Sequence, residues 1–242
     1  MNNAIMSSLT LGGTEVHLRS IFLDDVYKLA RENLLASDEL ARSRRYLIPQ
    51  ARLRFVACRA MLRLILAEYL HVEPGALCFQ YSRHGKPALG GQWSDHPLRF
   101  NLSHSENFLM VAVTWERQVG IDVEYVRAVP HADTIAADYF SPAEYTLYQN
   151  LSLEIKPQAF FNCWTRKEAY IKACGDRLAV PLSGFEVTFL PGEPTHLLRA
   201  AENDLRQWKM HALALPLGYT GALVIELIQT FDANTDAVGE FN

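Results

Sequence analysis

Residues 120–124 read GIDVE, and residues 164–172 read WTRKEAYIK. Strand side chains alternate between two faces, so Asp122 and Glu124 are predicted to share one face, with the apolar residues between them on the other. Residues four apart on a helix share one stripe, which here contains Trp164, Glu168 and Lys172. If that stripe faces the strand, three carboxylates converge beside an ammonium group. Such a set can hold a hard divalent cation over a phosphate ester.

The composition is that of an ordinary globular chain. Of its 242 residues, 49% are hydrophobic and 21% are charged, enough for a core in one large domain or two small ones. Residues 1–13 lack the pattern of a signal peptide, and no stretch reads as a transmembrane helix, so we expect a cytoplasmic protein with no membrane contact. The net charge of −4 argues against nucleic-acid binding. Four cysteines without C-x-x-C spacing are predicted to be reduced core thiols: Cys58, Cys78, Cys163 and Cys174.

Two halves of the chain are predicted to repeat one order of elements, about 110 residues apart. Each half has a helix that begins near a proline, at 49–70 and at 157–174, and Gly175 ends the second helix. A strand follows each helix, at 77–81 and at 185–190. An antiparallel pair completes each half: 98–102 with 108–114, and 210–215 with 222–227.

The segment between these helices has its own local signals. Residues 119–125 are predicted to form a strand that follows a polar turn. Residues 141–144 read SPAE, a capping box with proline at the first helical position, which predicts a short helix to about residue 151. No low-complexity linker separates the halves. The polar residues from Phe231 onward are predicted to form a frayed tail.

Residues 101–104 read NLSH and complete an ordered set of motifs. In order, N-x-S-H, G-[IV]-D-x-E and W-x-x-K-E-[AS]-x-x-K resemble the surfactin-synthetase type of 4′-phosphopantetheinyl transferase, from about Arg42 to the end of the second helix. The resemblance implies an α+β fold of two similar α/β subdomains related by a pseudo-twofold. Each would be a small, mainly antiparallel sheet packed on a long helix, with the active site in the cleft between them. The implied subdomains are 1–117 and 118–230, with 231–242 as a polar tail.

The resemblance also implies a magnesium site. Asp122, Glu124 and Glu168 would ligate Mg²⁺, whose other positions would go to water and the pyrophosphate of coenzyme A. Glu168 would accept the proton of an attacking serine hydroxyl, directly or through a metal-bound water, and Lys172 would neutralise the pyrophosphate. Taken alone, these residues would be an exposed strand face and a surface helix pair, and only their combination favours a site. Lys167 matches the family pattern too, but a solvated lysine fits its position as well.

The residues that the resemblance implies as coenzyme A contacts are Arg45, Arg54, Lys86, Asn101, Ser103, His104 and Lys172. Ser103 and His104 would donate to the coenzyme's phosphates. Lys86, in a G-K-P turn, would reach the nucleotide, and Arg45 and Arg54 would lie nearest the 3′-phosphate.

An arginine-rich segment accompanies these contacts. Seven arginines and no acidic residue occur from Arg42 to Arg63. Arg52, Arg59 and Arg63 fall in one narrow helical stripe. That stripe is predicted to be a solvated face, a grip on the 3′-phosphate or a docking surface for an acidic carrier protein. Leu40 occupies a place where the family commonly has a basic residue.

The chain is therefore predicted to be a magnesium-dependent, monomeric transferase. It would move the 4′-phosphopantetheine arm of coenzyme A to a serine of an apo acyl or peptidyl carrier protein and release adenosine 3′,5′-bisphosphate. A monomer is expected because both half-sites lie on one chain. Two alternatives stay open: another metal-dependent phosphoryl-transfer enzyme, such as a nuclease, and a catalytically silent carrier-binding homologue. The sequence leaves open whether the carrier belongs to fatty-acid, polyketide or peptide synthesis.

Overall fold

The computed structural model describes residues 4–24, 28, 30–83, 85–175, 181–200 and 207–227. Eleven strands and five α-helices lie within these residues. In chain order they are β1 (Ala4–Leu11), β2 (Thr14–Phe22), α1 (Ser37–Ser43), α2 (Pro49–Leu70), β3 (Phe79–Tyr81), β4 (Pro87–Leu89), β5 (Leu98–Ser105), β6 (Phe108–Trp115), β7 (Val119–Tyr125), α3 (Ala132–Tyr139), α4 (Pro142–Gln149), α5 (Lys156–Cys174), β8 (Glu186–Val187), β9 (Leu197–Arg199), β10 (Trp208–Ala212) and β11 (Tyr219–Glu226). The predicted α+β class is confirmed.

The sheet of the first half is antiparallel, in the order β1-β2-β6-β5. Its strand β6 reads FLMVAVTW. Leu109 and Val111 join the core formed with α2, whereas Phe108 and Met110 join an apolar cluster on the opposite face. Both faces of β6 are therefore buried, which explains why its sequence is continuously apolar up to Thr114.

The sheet of the second half is also antiparallel, in the order β10-β11-β7. Ala222 and Val224 of β11 belong to the core formed with α5, and Leu223 and Ile225 belong to the cluster that includes the outer face of β6. The two sheets thus share one apolar layer, and each covers its other face with a long helix. Among the described residues, no helix has the length and apolarity needed to cross a membrane.

The strand order repeats between the halves. In the first half β2 pairs with β6 and β6 with β5, and in the second β7 pairs with β11 and β11 with β10. In both cases the strand before the long helix pairs with the last strand of that half. A two-stranded ribbon, β3-β4 or β8-β9, stands at the same place after each helix. The predicted repeat is therefore present in the topology, with β1 as an addition to the first half.

Each half also buries a close glutamate–cation pair between its short and its long helix. Glu39 of α1 lies 2.7 Å from Arg63 Nε of α2, and Glu144 of α4 lies 2.7 Å from Lys167 Nζ of α5. These four side chains are at most 4% exposed. Both glutamates are the third residue of their helix and accept a hydrogen bond from the backbone N–H that precedes it. One carboxylate therefore caps a short helix and anchors a long one.

The buried cations use their remaining donors in the same way. Arg63 donates to Pro74 O and Leu77 O, and Lys167 donates to Leu182 O and Phe185 O. All four carbonyls lie between a long helix and the ribbon that follows it. The solvated position allowed for Lys167 is therefore wrong, because this lysine ties the loop after α5 to α4.

Several local predictions need correction. The predicted strand 185–190 shortens to β8, because Phe189 N and Leu190 N donate to the Glu193 carboxylate instead of to a strand. The cysteines are free, but Cys78 is exposed rather than in the core. The hairpin β1–β2 and helices α1 and α3 were not predicted. The predicted tail, 231–242, lies outside the described residues.

Candidate active site

Strand β7 and helix α5 approach each other at Gly120. A Cβ added there would lie 2.1 Å from Ala169 O and 2.3 Å from Ala173 N, which no side chain could accommodate. Glycine at this position therefore lets the helix backbone lie directly on the strand. Because strand side chains alternate, Asp122 and Glu124 share the face of Gly120, beside the helix that carries Glu168 and Lys172.

Asp122 is the centre of the charged contacts. Its carboxylate is 4% exposed, and Oδ1 accepts from Lys172 Nζ at 2.6 Å and from Ser103 Oγ at 2.8 Å. Its second oxygen, Oδ2, is buried and has no hydrogen-bond partner among the described residues. A buried carboxylate oxygen without a donor is costly, so this atom marks a place where a cation or a donor group of a ligand fits.

Glu124 and Glu168 are half-buried beside it. Burial raises the pKa of Glu168, Lys172 opposes this rise, and the charges of Asp122 and Glu124 add to it. Burial likewise raises the pKa of Glu124, against a hydrogen bond that Ser105 Oγ donates to Oε2 at 2.6 Å. The negative charge of each neighbouring carboxylate therefore raises the pKa of the other.

The three carboxylates share a cavity but do not meet at one point. Among the described residues, no group of three histidine, cysteine, aspartate or glutamate side chains is placed to hold a metal ion jointly. Lys172 Nζ donates to one oxygen of Asp122, and Ser105 Oγ donates to one oxygen of Glu124. That the three share one cation stays a prediction.

Strand β5 meets the free edge of β7 through side chains. Asn101 Oδ1 accepts from Ile121 N at 2.9 Å, Ser103 Oγ from Val123 N at 3.4 Å, and Ser105 Oγ from Tyr125 N at 3.1 Å. These side chains replace the backbone ladder that would otherwise satisfy the edge. Ser103 and Ser105 also donate to the carboxylates of Asp122 and Glu124.

The contact between β5 and β7, here called the seam, gives the N-x-S-H motif a structural role. Asn101 and Ser103, predicted to contact coenzyme A, are buried and hold β7 in place while they line the cavity. Ser105 was not predicted as a site residue. The signal for it is the alternation of small polar residues at positions 101, 103 and 105 of one strand, which places all three on one face.

Lys86 and His104 also line the cavity. Lys86 Nζ donates to Val119 O at 3.0 Å and to Lys172 O at 2.5 Å, so it ties the turn before β4 to β7 and α5. Burial, followed by the charges of Arg54 and Lys172, lowers the pKa of His104. At neutral pH this ring is therefore uncharged and donates through one nitrogen only.

The cavity has a volume of about 610 Å³ and lies between the halves. The carboxylates and Lys172 line one part of it. The wall of the first half includes cationic and aromatic side chains: Arg42, Tyr46, Phe55 and Arg59. Its size and its charge asymmetry suit a long anionic ligand that reaches from one half to the other.

The arginine stripe of α2 is not placed as predicted. Arg59 and Arg63 are buried, so the prediction of a solvated or docking stripe with Arg52 is wrong. Arg45 is exposed, and neither Arg45 nor Arg54 lines the cavity, although Arg54 is close enough to act on His104. Helical periodicity shows which residues share a face but not whether another helix covers that face.

Comparisons with known proteins agree with this arrangement. Residues 118–226 match the 4′-phosphopantetheinyl transferase superfamily, and residues 25–116 match the family described as 4′-phosphopantetheinyl transferase, N-terminal. The 4′-phosphopantetheinyl transferase HetI of Nostoc sp. is 45% identical over 195 residues, which cover 80% of this chain and 82% of that protein. A 4′-phosphopantetheinyl transferase of Bacillus subtilis is 32% identical over 52% of this chain and 54% of its own length. The transferase Sfp of Bacillus subtilis is 28% identical over 52% of this chain and 54% of its own length.

Proposed function

The chain belongs to the 4′-phosphopantetheinyl transferase family, and we propose that it moves the 4′-phosphopantetheine group of coenzyme A to a serine of an apo carrier protein. The other product is adenosine 3′,5′-bisphosphate. The observation that carries this proposal is the buried Asp122, whose Oδ1 accepts from Lys172 while Oδ2 has no partner among the described residues. Asp122 lines a cavity of about 610 Å³, to which both halves of the chain contribute side chains.

Mg²⁺ is the cation that these residues fit. Asp122, Glu124 and Glu168 would hold it, since carboxylate oxygens are the ligands that magnesium takes in proteins, together with water and substrate phosphates. The unpartnered Asp122 Oδ2 provides one such oxygen in a buried place. When bound there, Mg²⁺ neutralises charge on the pyrophosphate and makes its phosphorus more electrophilic.

The transfer itself needs a base and a charge neutraliser. The serine oxygen bonds to the phosphorus nearer the pantetheine, and the bond from that phosphorus to the bridging oxygen of the pyrophosphate breaks. Glu168 accepts the serine proton, which its raised pKa favours. Lys172 offsets the negative charge that develops on the departing adenosine 3′,5′-bisphosphate. The protein thus contributes mainly placement and electrostatics.

Coenzyme A contacts are proposed at the cavity wall of the first half. Ser103, His104 and Lys86 would donate to its phosphates, and Asn101 would hold the strand that presents them. Arg54 acts on His104 through its charge, which supports a position near the nucleotide. Arg45 is proposed for the 3′-phosphate on the resemblance alone.

The organisation of the chain follows the same proposal. Residues 1–117 and 118–230 would be the two subdomains, with the active site between them. Because each half contributes groups to one cavity, the enzyme would work as a monomer, in the cytoplasm. Its macromolecular substrates would be apo acyl or peptidyl carrier proteins.

The experiment is the intact mass of several apo carrier proteins after incubation with the protein, coenzyme A and magnesium. We expect each accepted carrier to gain one phosphopantetheine group, and none to do so without coenzyme A or with excess chelator. The control is Glu168→Gln, which keeps the shape of the site. No mass gain on any carrier, with folded protein, would leave a catalytically silent homologue as the better description.

A further inference from the structure

Asp122 is held through one of its two carboxylate oxygens. Oδ1 accepts from Ser103 Oγ at 2.8 Å and from Lys172 Nζ at 2.6 Å, whereas Oδ2 is buried without a hydrogen-bond partner among the described residues. Two donors on one oxygen fix the rotation of the carboxylate about its last side-chain bond. Asp122 therefore offers a single, oriented oxygen to a group that binds beside it.

Glu124, two residues later on the same face of β7, repeats this pattern. Its Oε2 accepts from Ser105 Oγ at 2.6 Å and lies 3.9 Å from Arg127 Nη1. Within the described part of the chain, no hydrogen bond or ion pair reaches Oε1. The arginine contact is long and about half-exposed, so it contributes little. The hydroxyl of Ser105 is therefore the group that decides which oxygen of Glu124 stays free.

The two serines can orient these carboxylates because the seam fixes the serines themselves. Both serines are buried on β5. Ser103 Oγ also accepts from Val123 N at 3.4 Å, and Ser105 Oγ accepts from Tyr125 N at 3.1 Å. A hydroxyl that accepts from the backbone keeps its one hydrogen for the carboxylate. A strand of the first half thus sets the rotation of two carboxylates that belong to the second half.

We propose that Ser105, together with Ser103, makes the cation site prefer Mg²⁺ over Ca²⁺ by holding one oxygen of each β7 carboxylate. This inference rests on the proposed function, which places Mg²⁺ at these carboxylates. Mg²⁺ is small and demands near-octahedral geometry at about 2.0–2.1 Å, so it suits carboxylates that each present one fixed oxygen. Ca²⁺ takes about six to eight oxygens in a flexible arrangement and often uses both oxygens of one carboxylate.

Ser105 is the better of the two serines to test. Without its hydroxyl, Glu124 can rotate and offer both oxygens to a cation, which is an arrangement that Ca²⁺ accepts. Asp122 would still be held by Lys172 if Ser103 were replaced, because both donors reach the same oxygen. Ser103 is also proposed as a coenzyme A contact, so its replacement would change two properties at once.

The test compares Ser105→Ala with Ser94→Ala. Ser94 is exposed, donates to Gly91 O at 2.8 Å and does not line the cavity, so its replacement removes one serine hydrogen bond away from the site. Each protein is dialysed to equilibrium against an equal mixture of Mg²⁺ and Ca²⁺, without coenzyme A or carrier, and the bound metals are measured by elemental analysis. Metal retained by Asp122→Asn is subtracted as the contribution of other sites. Thermal melting reports the fold.

Ser105→Ala should lower the affinity for Mg²⁺ about tenfold or more, since the loss of a group that orients a metal ligand commonly costs that much. The affinity for Ca²⁺ should fall by less than about threefold, because Glu124 can then use both oxygens. The ratio of bound Mg²⁺ to bound Ca²⁺ should therefore fall, whereas Ser94→Ala should leave it unchanged. Ser105→Thr keeps the hydroxyl and should restore most of the ratio.

An unchanged ratio in folded Ser105→Ala would overturn the proposal, as would an equal loss of both cations. If Ser105→Ala does not fold, Ser105→Cys allows the same comparison, because a thiol is a weak donor of similar size. An original protein that binds neither cation would contradict this inference and the proposed magnesium site together. Binding is measured without turnover, so a protein that shows the predicted change in ratio but transfers nothing would contradict only the proposed function.

Discussion

The two halves of this molecule share a topology but present opposite charges to the cavity between them. The first half contributes three cations, Arg42, Arg59 and Lys86, and the second contributes three carboxylates, Asp122, Glu124 and Glu168, with one cation, Lys172. Both halves pack a long helix on an antiparallel sheet, and both bury a glutamate–cation pair at the same place in the repeat. The packing and the buried ion pairs that the halves share therefore lie away from the cavity. The charged side chains that differ between the halves line it.

This difference separates the side chains that stabilise the fold from those that line the cavity. Side chains that point away from the cavity, such as Arg63 and Lys167, keep equivalent partners in both halves. Side chains that line it are cationic and aromatic in the first half and mainly acidic in the second. Under the proposed function, the repeated fold divides substrate binding and catalysis between its two copies without any change in strand order.

The largest expected effect tests whether the second half alone supplies the chemistry. Glu168→Gln and Asp122→Asn should each lower kcat by roughly 10²- to 10⁴-fold, because the proposed mechanism has each group act at the reacting phosphorus. The double variant should be little worse than either single one, since residues that act as a unit are not additive. Transfer rates at saturating coenzyme A provide the measurement. Glu154→Gln, an exposed change in the same half, is the control, and an unchanged kcat in Glu168→Gln would contradict the assignment.

The second prediction tests whether the buried pairs are equivalent. Lys167→Met leaves the buried Glu144 without a cation, so it should lower the free energy of unfolding by about 3–5 kcal/mol. Arg63→Met leaves Glu39 with only the longer contact to Arg59, at 3.4 Å, and removes the donor to Pro74 O and Leu77 O, so we expect a loss of similar size. For a chain of this size that is a fall in Tm of roughly 6–20 °C. Denaturant and thermal unfolding measure it, with the exposed Lys209→Met as the control. A large loss in one half and none in the other would break the comparison.

The third prediction concerns the close approach of strand and helix, which is specific to the second half. Gly120→Ala forces α5 away from β7, so it should destabilise the fold by about 1–3 kcal/mol and also slow transfer, because α5 carries Glu168. Gly75→Ala in the first half is the matched control, since a Cβ there meets nothing within 4 Å. If the two alanine variants had the same stability and transfer rate, the close approach of α5 to β7 would not be needed.

The smallest effect is on stability as a function of pH. The folded-state pKa of Glu168 is raised by burial above its ordinary value of 4.5, so its ionisation opposes folding. That penalty is fully present above the folded-state pKa and disappears as the pH falls to the unfolded value. Glu168→Gln should therefore unfold at a higher denaturant concentration than the original protein at pH 7 but not near pH 4.5. If the difference between the two denaturant midpoints grew as the pH fell, burial would not be raising the pKa of Glu168.

The sequence predicted the features that depend on local periodicity. Strand β7 and helices α2 and α5 lie within a residue of their predicted bounds, and the capping box at Ser141 starts α4. Asp122, Glu168 and Lys172 come together because strand alternation and helical spacing are each preserved in the fold. The family was predicted correctly from the same motifs.

Features that depend on distant partners were missed. Arg59 and Arg63 were predicted to form a solvated stripe because nothing in their own helix shows that Glu39, at least twenty residues away, covers them. Ser105 was overlooked because its role depends on β5 meeting the edge of β7. In each case the decisive contact is a tertiary one that neither period nor propensity encodes.

The seam between β5 and β7 has a consequence for any attempt to divide the molecule. No backbone ladder joins these two edges, and the side chains of Asn101, Ser103 and Ser105 take its place. Cut between β6 and β7, each fragment would display an unprotected edge strand beside a bare apolar face, the combination from which misassembled aggregates grow. When the fragments are co-expressed, each would cover the exposed edge strand and the apolar face of the other. The enzyme is therefore a candidate for a split reporter whose signal depends on reassembly.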